Sequence, residues 1–168
     1  MKLYGQARHI KIVAVSGGFD PIHIGHVRMF KEAKKLGDKL VVILNNDNWL
    51  KKKKGTVFMP QHERKELIEA IHYVDEVLLT HHKPNPSDMS VCQELRELQP
   101  HIFAQGGDRN TANLPPCEVE LQKEIGFKII QNLGQGGKVQ SSSWLLADYL
   151  KKIKLSSNDI IKDQPKEV

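Results

Sequence analysis

Cysteine is nearly missing from this chain of 168 residues, with only Cys92 and Cys117 present. Two thiols do not make a disulfide framework. The expectation is two buried structural thiols in a reducing compartment, the cytoplasm. Aromatic residues are scarce as well, at 6%. A nucleic-acid binder needs a clustered basic face with aromatics interleaved. Here only KKKK at 51–54 is clustered, so the formal charge of +5 points weakly to an anionic partner and no nucleic acid is expected. No apolar run approaches the roughly 20 residues that span a bilayer. The opening MKLYGQARHIKIVAV also lacks the apolar block and small-residue cleavage site of a secretory leader. Neither a membrane partner nor a leader is expected.

What is present is the profile of one soluble globular domain, 39% hydrophobic and 27% charged, long enough to bury a core. Short β-branched runs alternate with helical patterns. HIKIVAV (9–15), KLVVILNN (39–46), EVLLT (76–80), HIFAQ (101–105) and FKIIQNL (127–133) read as five strands. Between them, GHVRMFKEAKKL (25–36) spaces Val27, Phe30, Ala33 and Leu36 as a helix, with Gly37 as its stop. Residues 61–73 form a helix with Leu67, Ile68 and Ile71 inward. Ser87 or Asp88 caps the helix carrying Val91, Leu95 and Leu98. PPCEVELQKEI (115–125) and SSSWLLADYLKKI (141–153) supply two more. Strands separated by helices pair in parallel, because each return to the sheet needs a crossover. The fold class is therefore α/β, a Rossmann-like doubly wound five-stranded parallel sheet with helices on both faces. Its ligand site is expected at the carboxyl ends of the strands. The domain is expected to occupy 1–153, followed by a polar, flexible tail over 154–168.

The chemistry concentrates in GGFDPIHIGH at 17–26, directly after the first strand. Strand, glycine turn, helix is the layout of a phosphate site: bare backbone N–H groups approach an anion, and the helix N-terminus adds partial positive charge. The spacing matches neither GxGxxG nor Walker A. His23 and His26, at i and i+3, bring two rings to one side of the first helical turn, with Gly25 between them. A metal pair is the competing reading, but zinc would need further ligands at suitable spacing. The lysine run is either a solvated stretch or, by its place after the second strand, part of a site.

HIGH after GGFDP resembles the signature of the HxGH nucleotidyltransferase superfamily, which includes cytidylyltransferases and heptose-phosphate adenylyltransferases. LGDKLVVILNND (36–47), ERKELIEAIHYVDEVLL (63–79), FAQGGDRN (103–110) and VQSSSWLL (139–146) resemble further family segments, in order, across most of 9–153. The resemblance implies that an acceptor phosphate attacks the α-phosphorus of a nucleoside triphosphate and releases pyrophosphate. It favours CTP over ATP, and a small phosphorylated polyol or sugar as acceptor. A heptose-phosphate-type adenylyltransferase and a non-catalytic nucleotide-sensing module are the alternatives.

By the same resemblance His23 and His26 donate hydrogen bonds to phosphate oxygens, joined by Lys54 or Lys53 from a closing loop, while Arg64 holds a phosphate as a planar fork, the alternative for Arg64 being a pair with Glu63, Glu66 or another helix carboxylate. Gly17, Gly18 and Phe19 form the turn, and Asp20 orders it or approaches the acceptor. Gly107, Asp108 and Arg109 lie near base and ribose. Ser141, Ser142 and Ser143 receive pyrophosphate at a helix N-terminus. No protein metal site is implied, and Mg²⁺ enters with the triphosphate. A homodimer is the assembly the resemblance implies. Two departures stand out. Gly18 occupies the place of a threonine in many cytidylyltransferases, leaving Ser16 or backbone to replace its hydroxyl. LGQGGK (133–138) stands where they carry Arg-Thr-Glu-Gly.

Overall fold

A computed structural model describes residues 9–106, 115–134 and 140–156. Five strands form one sheet: β1 (Ile12–Gly17), β2 (Lys39–Leu44), β3 (Glu76–Leu79), β4 (Ile102–Gly106) and β5 (Lys128–Leu133). All neighbours pair in parallel, in the spatial order β3-β2-β1-β4-β5. The chain thus winds outward from β1 in one direction, returns, and winds outward in the other. The reversal leaves a crevice between the carboxyl ends of β1 and β4.

Helices cover both faces. On one, α1 (Ile24–Lys34) and α3 (Gln61–Glu69) pack Met29, Phe30, Ala33 and Ile68 against Val13, Val15, Leu40 and Val42. On the other, α4 (Cys92–Leu98) and α5 (Pro116–Ile125) pack Leu95 and Leu121 against Ala14, Ile43 and Phe103. This division follows from the strands themselves, since alternate residues of a strand face opposite sides. The last helix, α6 (Ser142–Ser156), extends beyond 153, and the rest of the expected tail lies outside the described residues. No helix among the described residues is long and apolar enough to cross a membrane.

Several local expectations are corrected. KKKK at 51–54 is not a loop but the end of a helix, α2 (Asp47–Lys54), capped by Asn46 and closed by Gly55 at φ 81°. Its Trp49 and Leu50 are buried, which holds the lysines outward. Leu67 was expected inward and is 44% exposed. Neither Ser87 nor Asp88 caps α4, whose cap position is Val91. Asp88 instead accepts from Ser90 N–H, and Ser90 Oγ accepts from Cys92 N–H. Cys92 and Cys117 are not free thiols. They form a disulfide between α4 and α5, whose packing brings the two Cα atoms to 6.4 Å. The cysteine count therefore gives no ground for a reducing compartment.

Gly37 is not a left-handed helix stop. The C-cap of α1 is Lys35, in right-handed conformation. A Cβ at Gly37 would lie 2.5 Å from the Lys11 carbonyl oxygen and 2.7 Å from Val13 Cγ2, so this glycine lets the return to β2 pass tightly against β1. The carbonyl cannot retreat, because it accepts from Asp38 N–H and Lys39 N–H. Gly37→Ala is expected to destabilise the fold by about 1–3 kcal/mol. Urea unfolding checks this, and an unchanged midpoint would contradict it.

Candidate functional site

The carboxyl ends of β1 and β4 frame an open cleft lined by Ser16, Gly17, Gly18, Phe19, His26, Met29, Gln105 and Gly106. Its turn is built from the opening motif. Phe19 takes φ 48°, a left-handed conformation that folds its ring back over Gly17, where a Cβ would lie 2.8 Å from the ring. Only glycine fits beneath it. Phe19 is therefore floor rather than ligand group: at 5% exposure it meets His26 edge-on at 4.9 Å and Phe30 at 5.2 Å. Gly18 has a comparable reason. A Cβ there would come within 2.8 Å of Leu50 Cδ2, and Leu50 is fully buried. The threonine of many cytidylyltransferases has no room here, and Ser16 supplies the hydroxyl on this side of the cleft.

The two histidines cap α1. His23 is its N-cap, and its Nδ1 accepts from Gly25 N–H at 3.1 Å. His26 Nδ1 accepts from His23 N–H at 3.2 Å. This is a reciprocal capping box made of imidazoles. Because each Nδ1 is an acceptor, each neutral ring carries its proton on Nε2, leaving that N–H as a donor. The rings stack at 3.6 Å with an interplanar angle of 24°. Burial lowers both pKa values. For His26, burial, then the neighbouring His23, then Lys54 push it down to about 3; His23 is lowered by burial and by Lys54. Two neutral Nε2–H donors thus sit at the N-terminal end of a helix, in surroundings that disfavour a positive charge on either ring.

Lys54 is the lysine of the run that reaches this turn, its Nζ donating to the Asp20 carbonyl at 2.7 Å. Burial lowers its pKa, Asp20 opposes that shift, and Arg64 adds to it. Lys53 is exposed. Asp20 does not reach toward an acceptor. It is 2% exposed, and its carboxylate accepts from Phe58 N–H at 2.9 Å and Met59 N–H at 2.7 Å, tying the turn to the segment before α3.

Arg64 departs most from expectation. Its side chain is 0% exposed, so it offers no fork to a phosphate. Nε donates to Met59 O, Nη1 to Gly18 O and Asn45 O, and Nη2 to Asp47 Oδ1, at 2.6–2.8 Å. One guanidinium thereby locks the glycine turn, the end of β2, the start of α2 and the entry to α3 together. Arg64 thereby braces the turn that carries the imidazole pair.

Ser142 Oγ donates to Pro21 O at 2.8 Å, which brings the N-terminus of α6 to the same turn as that of α1. Ser141 Oγ caps α6 by accepting from Trp144 N–H, and Ser143 is exposed. Trp144 is 53% exposed. Gly107, Asp108, Arg109 and most of the 133–138 segment lie outside the described residues. The motif reading missed Gln105. It is 3% exposed, lines the cleft from β4, and neither side-chain amide atom has a hydrogen-bond partner among the described residues. Its one sequence signal was a polar residue closing an otherwise apolar strand.

A family model described as Cytidylyltransferase-like matches residues 14–163. Among similar proteins, the FAD synthase of Pyrococcus abyssi is 38% identical over 125 residues, covering 73% of this chain and 78% of the relative. The FAD synthase of Thermococcus kodakarensis is 39% identical over 121 residues, 71% of this chain and 77% of the relative. The bifunctional protein HldE of Streptomyces coelicolor is 36% identical over 127 residues, 74% of this chain but 26% of that protein. A solved structure, the lipopolysaccharide core biosynthesis protein of Thermoplasma volcanium, aligns with a TM-score of 0.61 at 30% identity, covering 76% of this chain and 99% of that one.

Proposed function

This chain belongs to the cytidylyltransferase-like family of nucleotidyltransferases, and we propose that within it the chain moves an adenylyl group from ATP to a small phosphorylated acceptor. The observation that carries the reading is the pair of neutral Nε2–H donors at the N-terminus of α1, beside a glycine turn and the N-terminus of α6. Where the motif resemblance favours CTP, the relatives favour ATP, since an FAD synthase joins FMN to an adenylyl group. The departures at Gly18 and 133–138 from the cytidylyltransferases point the same way. FMN is therefore the first acceptor to try, ahead of a sugar or polyol phosphate.

In the reaction an acceptor phosphate oxygen forms a bond to the α-phosphorus. The bond from that phosphorus to the bridging oxygen breaks, and its electrons leave with pyrophosphate. No proton needs removal from an ionised acceptor phosphate, so positioning and charge stabilisation do the work. His23 and His26 Nε2–H groups donate to phosphate oxygens as negative charge shifts toward the leaving group. Lys54 adds charge from the end of α2. The N-terminus of α6, with Ser141, Ser142 and Ser143, takes the departing pyrophosphate. Gly107, Asp108 and Arg109 would meet the nucleoside. Mg²⁺ is expected to enter with the triphosphate, held by phosphate oxygens and water. That ion would offset charge on the triphosphate. A reaction drawing on ATP belongs in the cytoplasm, and a homodimer, checked by sedimentation, is part of this reading.

ATP with Mg²⁺ is expected to raise the melting temperature more than CTP, GTP or UTP, because a ligand that binds only the folded state stabilises it by mass action. Pyrophosphate should appear when FMN is added. Release with a sugar phosphate and not FMN would keep the enzyme and change its acceptor. ATP binding with no pyrophosphate from FMN, sugar phosphates or polyol phosphates would replace this reading with a nucleotide-sensing module.

A further inference from the structure

Gln105 poses a physical problem that the phosphate machinery does not solve. A buried carboxamide normally finds partners for its N–H₂ and its oxygen. Here Nε2 and Oε1 are both buried and have no partner among the described residues, in a residue that shares a cleft with His26. The position is not incidental. Val15 of β1 pairs with Ala104 of β4, so Ser16 and Gln105 are the next residues along each strand, at the crevice where the winding reverses. Strand alternation puts Ser16 and Gln105 on the α4/α5 side, with Ala14 and Phe103. Gln105 thus brings an unmet polar group to the same cleft that the N-terminus of α1 borders through His26.

The chemistry of the unmet atoms restricts what satisfies them. Nε2 needs an acceptor, which a phosphate could be. Oε1 needs a donor, and an ionised phosphate chain has none. The partner must present a donor and an acceptor together, as a ribose hydroxyl or the amine edge of a base does. We propose that Gln105 reads the nucleoside half of the nucleotide, its carboxamide pairing with a group of the ribose or base that both donates and accepts. This rests on the reading of the cleft as a nucleotide site and adds a specificity residue to it. The unmet amide is the counterpart of a site built to reject analogues that lack the matching group.

Isothermal titration calorimetry on the full chain tests this with ATP and inorganic tripolyphosphate as probes. Gln105→Leu is expected to weaken ATP binding about tenfold or more while leaving tripolyphosphate affinity unchanged. The ligand-free melting temperature should hold or rise, because an unsatisfied amide is replaced by an apolar group of similar size. Gln105→Glu keeps the shape and adds a charge, and should weaken ATP at least as much. With 2′-deoxy-ATP, 3′-deoxy-ATP and purine riboside triphosphate, the analogue lacking Gln105's partner should bind wild type weakly and lose nothing further in Gln105→Leu. Unaltered ATP affinity in Gln105→Leu would overturn the proposal, as would equal loss for ATP and tripolyphosphate, or additive losses with all three analogues. If wild type binds neither ATP nor tripolyphosphate, the nucleotide-site reading fails first and the proposal with it.

Discussion

His26→Ala is expected to lower turnover about 10²–10³-fold while the fold survives. Removing one preorganised donor from a site where charge develops costs about that factor. The structural loss is smaller. His26 contributes one half of a capping box, worth on the order of 1 kcal/mol, and an edge contact to Phe19. KM for the nucleotide should change far less than turnover, because the donor matters most when negative charge moves. Pyrophosphate release and a thermal melt on the same sample separate the two effects. Near-normal release from folded His26→Ala would remove the catalytic role. The low pKa of His26 adds a pH signature. The unfolded side chain takes up its proton near 6.5 and the folded one only at about 3. Between those values the unfolded chain binds more protons, so this site's contribution to stability is present above 6.5 and drains away as the pH falls toward 3. His26→Asn has no such group and should show a shallower loss of stability through that window.

The five strands could be read from the sequence within a few residues, because each carries a short apolar run bounded by turn residues, as strands of a parallel sheet covered by helices do. The motif positions at His23, His26 and Ser141–Ser143 were legible for a similar reason: their geometry is local, set within one helical turn. What escaped depends on distant partners. α2 hid behind its four lysines, although Asn46, Trp49, Leu50 and Gly55 give it a cap, a buried side and a stop. The Cys92–Cys117 bond joins positions 25 apart in sequence, and only the packing of α4 on α5 brings them into range. Gln105 looks like any polar strand end until the sheet closes over it.

Arg64 makes the sharpest case of this kind, and its replacement should have the largest effect on stability. Motif resemblance gives it a phosphate. The folded chain gives it Gly18 O, Asn45 O, Met59 O and Asp47 Oδ1, drawn from segments up to 46 residues away. Arg64→Ala would leave three carbonyls short of a donor and Asp47 without its cation. Leaving three carbonyls and a part-buried carboxylate without their donor costs about 3–5 kcal/mol. Against the roughly 5–15 kcal/mol that holds a domain folded, that is a large share. Arg64→Lys should fare little better, because a single ammonium cannot reproduce a planar fork with four acceptors around it. Both variants are expected to melt well below wild type, with activity tracking the folded fraction and nucleotide KM nearly unchanged in whatever remains folded. A phosphate ligand would behave in the opposite way, raising KM while the melting temperature stayed put. Urea unfolding alongside initial-rate kinetics distinguishes the two. The physical point is that the guanidinium joins the Gly17–Gly18 turn to α2 and α3, so the imidazole pair keeps its aim only while Arg64 stays bonded.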